Sequence, residues 1–182
     1  MSLVNNFKMM SLYNQRINRQ LMHCCLPLPV KVLEQDSQSF FTNIISYWNH
    51  LLFGDLILLT RLAHHNIGQL ALTDFASFPS PKFPQDIYYQ ELPQLNMCRQ
   101  QLDELIIRFC QKLTDNECEQ AISYTTTEGE LLTKRVGDVI QHLFNHQTHH
   151  RGQLSCVLSQ CGVDYGCMDL PVIVPEGSHC QH

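Results

Sequence analysis

Apolar residues recur every three or four positions over most of this chain, and prolines mark where the pattern stops. A proline inside a helix removes a hydrogen bond and clashes with the preceding turn. Its copies cluster at Pro27 and Pro29, at Pro79, Pro81, Pro84 and Pro93, and at Pro171 and Pro175, which leaves proline-free segments over 30–78 and 94–170 and a shorter one before Pro27. The first helix is predicted over 5–25, where Phe7, Met10, Ile17 and Leu21 keep helical spacing. A second is predicted to open at Ser37 or Ser39, whose hydroxyl would cap the free amides, and to run to about 63 through Ile44, Trp48, Leu51, Leu56 and Leu62. Being apolar nearly all round, it should be the most buried element.

Residues 66–86, rich in Pro, Ser and Phe, read as a long crossover loop. The third helix should begin around Pro93, an acceptable first-turn position, and carry Leu95, Leu102, Leu105, Ile106 and Phe109 inward before ending near 113. Residues 122–134 place β-branched and aromatic residues on both sides of Glu128-Gly129, the signal for a short β-hairpin. The fourth helix spans about 137–161, with Gly162 supplying its left-handed end, and 163–182 read as irregular. The expected architecture is all-α: a four-helix bundle with a long crossover loop and a hairpin before the last helix, one domain over 1–182 with its core at about 5–174.

Composition narrows the chemistry. A chain of 182 residues, 44% hydrophobic and 16% charged, can bury the core of one domain. Its formal charge of −5 disfavours nucleic-acid binding driven by bulk charge. The most apolar stretch, 51–62, is interrupted by Gly54, Asp55 and Arg61, so no membrane span is expected. Nothing in 1–10 reads as a signal peptide, and the cytoplasm is the expected compartment. Nine cysteines, an odd number without a Cys-x-x-Cys pair, are expected to be reduced and mostly buried as small apolar residues.

Ten histidines are more informative, because four of them fall at 142, 146, 149 and 150. Val139, Leu143, His146, His150, Leu154 and Val157 step by three and four, so His146 and His150 continue the stripe that packs into the bundle. His142 and His149 share another face with Arg135, Asp138 and Asn145, at the rim or in solvent. Imidazoles at i and i+4 on one face are about 5–6 Å apart at Cβ, which suits shared coordination of one metal ion. A third nitrogen would come from His50 in the second helix, and three protein ligands leave a coordination position open. The alternative is that each imidazole is simply hydrogen-bonded in the core or solvated in a groove. Other metal schemes lack their signatures: there is no His-Glu-x-x-His, and no Glu-x-x-His falls within the four predicted helices, while haem ligated inside the bundle stays open without a Cys-x-x-Cys-His attachment site. Asp55 is turned off the His50 face and is a candidate only for support or capping. Trp48, Tyr88 and Tyr89 read as packing.

The string Asn145-His146-Gln147-Thr148-His149-His150-Arg151-Gly152-Gln153, with Trp48-Asn49-His50-Leu51-Leu52-Phe53-Gly54-Asp55 upstream, closely resembles the DinB family. That family is described by DNA-damage-inducible members and is related to YfiT-like metal-dependent hydrolases and to bacterial thiol S-transferases. The resemblance covers about 5–174. It implies a four-helix bundle, a divalent metal ion (zinc, nickel, manganese or iron) on three histidines matching His50, His146 and His150, and a homodimer. It implies either a metal-dependent enzyme, a thiol S-transferase or hydrolase acting on a small molecule such as a low-molecular-weight thiol, or a non-catalytic metal-binding protein of the stress response. Arg151 and Gln153 are read as an anion contact or a support at the mouth of the site, or as ordinary polar residues of a helix flank.

Overall fold

The computed structural model describes residues 2–173. Four long helices form the bundle: α1 (Leu3–Cys25), α3 (Ile44–Ala63), α4 (Leu92–Lys112) and α6 (Val136–Gln160). Shorter helices lie between and after them: α2 (Val30–Leu33), α5 (Asp115–Glu119) and α7 (Leu170–Ile173). Strands β1 (Ala121–Thr125) and β2 (Leu131–Arg135) pair antiparallel, with Ala121 opposite Arg135 and Thr125 opposite Leu131. The mostly-α bundle with one hairpin is the predicted architecture. Among the described residues no helix is long and apolar enough to cross a membrane.

Several boundaries differ from the sequence reading, each for a local reason. Helix α3 starts at Ile44, later than Ser37 or Ser39, because those serines hydrogen-bond to the Phe41 carbonyl of their own loop. Asn43 caps the helix instead, its Oδ1 accepting from the Ser46 amide at 2.8 Å. Helix α5 was hidden in plain view: Thr114-x-x-Glu117 is a capping box, with Glu117 Oε2 accepting from the Thr114 amide at 2.8 Å. Its other carboxylate oxygen accepts from the Gly68 amide, which ties down the crossover loop. That loop contains two 3-10 turns, Ile67–Gln69 and Leu72–Phe75. The strands of the hairpin sit closer to the helices than predicted, leaving 126–130 as the turn around left-handed Gly129. Gly162, also left-handed, follows the end of α6 as expected. The expected irregular tail includes α7, and its part over 174–182 lies outside the described residues. Among the eight described cysteines, Cys25, Cys98, Cys110 and Cys118 are buried and the rest reach solvent, so fewer are core residues than composition suggested.

The core has two apolar clusters. One gathers Phe7, Leu56, Leu59, Leu102, Ile106 and Phe144; the other gathers Ile17, Leu21, Trp48, Leu51, Leu95 and Leu158. Along all four long helices, buried polar residues fall near the change from one cluster to the other: Asn14 and Asn18 on α1, Asp55 on α3, Arg99 and Asp103 on α4, Gln147 and Arg151 on α6. Arg99 bonds Asp55 at 2.6 Å and Asp103 at 3.0 Å, and Asn18 Nδ2 donates to Asp103 at 3.0 Å. A buried polar group without a partner costs about 1–3 kcal/mol, so this layer holds together only as a network.

Candidate metal centre

His50 lies in the first half of α3, facing the pair that α6 presents one turn apart, His146 and His150. The His50 Nε2 atom is 3.1 Å from His150 Nε2 and 3.1 Å from His146 Nε2. All three ligand atoms lie within 4.8 Å of one another, a group able to hold a metal ion. The opposite nitrogens fix the tautomers. His50 Nδ1 donates to the Pro84 carbonyl at 3.0 Å, and His150 Nδ1 donates to Gln153 Oε1 at 2.8 Å. Both acceptors lack a proton to give, so each Nδ1 carries the hydrogen and each Nε2 presents a lone pair. Two lone pairs 3.1 Å apart repel unless something positive stands between them. The spacing suits nitrogens each about 2.0–2.1 Å from one ion.

Packing shapes the rest of the centre. The Phe41 ring stacks on His50 with centroids 4.0 Å apart and meets His150 edge-on at 5.5 Å. His146 packs over Gly54, where any Cβ would strike its ring. Its Nδ1 is buried and has no hydrogen-bond partner among the described residues. Burial, reinforced by neighbouring imidazoles, lowers His146 to about 3. Burial likewise takes His150 to about 4, against the opposing Gln153 hydrogen bond, and lowers His50 against the Pro84 bond. The three rings are therefore neutral at pH 7, the form that ligates.

The structure brings together the three histidines singled out from the sequence and leaves His142 and His149 exposed beside them. Gln153 supports the site as one of the two readings held. Arg151 does not reach the mouth: it is buried against α1, where its guanidinium donates to Asn14 Oδ1 at 2.7 Å and to Asn18 Oδ1 at 3.2 Å. One step along the helix from His150 turns a side chain by about 100°, away from the site. Asp55 caps nothing and is part of the buried layer. Sequence reasoning passed over Asn49, whose Oδ1 accepts from the Tyr88 and Tyr89 amides at 2.9 and 3.0 Å and so pins the loop carrying Pro84 onto α3. A polar residue inside an apolar helix was the available signal. Pro84 acts through a backbone carbonyl, which no residue type betrays.

A four-helix bundle with an intramolecular three-histidine centre between its second and fourth long helices defines the class. The DinB family profile matches residues 1–174, and the chain belongs to that family. It is 23% identical over 160 residues, 85% of its own length and 88% of the relative's, to Protein DinB of Bacillus subtilis (strain 168). No solved structure matches it.

Proposed function

We propose that His50, His146 and His150 hold one divalent metal ion, zinc, nickel, manganese or iron, and that the chain is a metal-dependent enzyme of the thiol S-transferase or hydrolase type. The observation supporting this is the convergence of Nε2 atoms, two of them aimed by Nδ1 hydrogen bonds to Pro84 and Gln153. A divalent ion there would act as a Lewis acid that lowers the pKa of a small nucleophile, water or a low-molecular-weight thiol. Three neutral imidazoles add no negative charge and leave a coordination position for that nucleophile. The Phe41 ring covers one face of His50, and the exposed His142 and His149 rings lie beside His146 and His150.

The test is metal analysis of untagged protein, followed by a thiol-transfer screen with and without chelator. His50→Ala, His146→Ala and His150→Ala should each abolish stoichiometric uptake, and His142→Ala and His149→Ala should leave it nearly intact. Equal losses from all five would remove the proposed ligand set.

Acid should act on the metal-free protein through the same rings. Folded-state values lowered to about 3 for His146 and about 4 for His150, against about 6.5 when unfolded, mean that the unfolded chain takes up protons first as pH falls. Their contribution is complete above about pH 6.5 and is lost on descending through about pH 4 for His150 and about pH 3 for His146. Melting temperatures of metal-free protein should fall across that window, and His146→Ala should flatten the decline. An equally steep decline in His146→Ala would place the acid sensitivity elsewhere.

A further inference from the structure

Gln147 sits between two of the histidines in sequence but faces the interior, where it is fully buried. Its Nε2 donates to Asp55 Oδ2 at 2.7 Å and to the Leu51 carbonyl at 3.3 Å. Both acceptors belong to α3, and Leu51 directly follows His50. One amide therefore joins α6 to α3 within the span of the three histidines. Asp55 is itself fixed from a third helix by Arg99 at 2.6 Å, so the acceptor cannot drift.

From these contacts we infer that Gln147 is a positioning residue for the metal centre: its clamp on Leu51 and Asp55 sets the register between α3 and α6 that brings the His50 nitrogen to the α6 pair. This rests on the metal reading above. Apolar packing alone tolerates small axial slips between helices, because Leu against Leu is much the same one notch along. A buried amide does not tolerate them, since a slip strands its donor and the Asp55 carboxylate together. Buried polar pairs serve best as register devices for this reason. Groups that hold metal ligands in place are worth about 10–100-fold in affinity.

The experiment measures zinc affinity by competition with a chromophoric chelator, and the visible spectrum of the cobalt(II)-loaded protein, for wild type and three variants of the full chain. Gln147→Met removes the amide at similar volume. Gln147→Asn keeps an amide one methylene too short to span both acceptors, which guards against a misfolded Met variant. Asp103→Asn disturbs the same layer without touching Gln147, since Asp103 bonds Arg99 and Asn18. Both Gln147 variants should bind zinc about 10–100-fold more weakly, with an altered cobalt spectrum and wild-type helical content. Asp103→Asn should melt lower yet keep zinc affinity and spectrum. Wild-type affinity and spectrum in a folded Gln147 variant would overturn the assignment. So would an equal zinc loss in Asp103→Asn, which would mean that general loosening is responsible. Failure of the wild type to take up zinc or cobalt would overturn the metal reading itself, and this inference with it.

Discussion

Replacing Arg99 by Met should destabilise the protein by about 3–5 kcal/mol, the cost of leaving buried charge uncompensated. Arg99 is 1% exposed and bridges Asp55 and Asp103, themselves 0% and 2% exposed. Burial pushes both carboxyls up, and the Arg99 guanidinium opposes that rise in each. With the guanidinium gone, Arg151 remains in the layer, but its hydrogen bonds go to Asn14 and Asn18. Urea unfolding monitored by circular dichroism would measure the loss as a lower midpoint. Removing the three charges together, as Asp55→Leu, Arg99→Met and Asp103→Leu, should recover only part of it, because the buried Arg151 then loses its carboxylate neighbours and Gln147 loses its Asp55 acceptor. A loss below about 1 kcal/mol for the single variant would mean that water reaches the layer and screens it.

Gly54→Ala carries the other large effect, and here the sign is informative. In an ordinary helix interior Ala is better than Gly by about 1 kcal/mol. At this position the new Cβ would lie 2.6 Å from His146 Nδ1 and 3.0 Å from Nε2, so the ring must move or the helices must part. Overpacking of this kind costs about 1–3 kcal/mol. The ring that moves is a proposed ligand, so zinc uptake should be lost even where the fold survives. Calorimetry with and without zinc separates the two effects: the variant should melt lower than wild type and gain nothing from added ion. A variant that melts higher and still binds would show that His146 has room to relocate.

Periodicity identified the course of α6, its inward stripe and the placement of His146 and His150, because a 25-residue helix repeats its signal many times, and Gly162 marked its end. His50 was legible for a related reason, as a histidine inside an apolar run. The start of α3 was not, since Ser39 and Asn43 are both good caps and only the loop's own hydrogen bonds decide between them. Arg151 and Gln153 looked alike on paper, two polar residues following His150. Three residues on, Gln153 returns to the side of His150 and meets its Nδ1, while Arg151 is carried round toward α1. Gln147 was beyond reach for a different reason. Its partner Asp55 lies in another helix, and pairing across that separation leaves no mark on local pattern.

The polar layer between the two apolar clusters also bears on how the bundle opens. A continuous core unzips as one body, whereas here each long helix passes through two hydrophobic compartments separated by a band of hydrogen bonds and ion pairs. Native-state hydrogen exchange should therefore resolve two protection classes along the same helix. On α6, amides near Phe144 would report one compartment and those near Leu158 the other, with the histidine-bearing turn lying between two units that breathe on separate clocks.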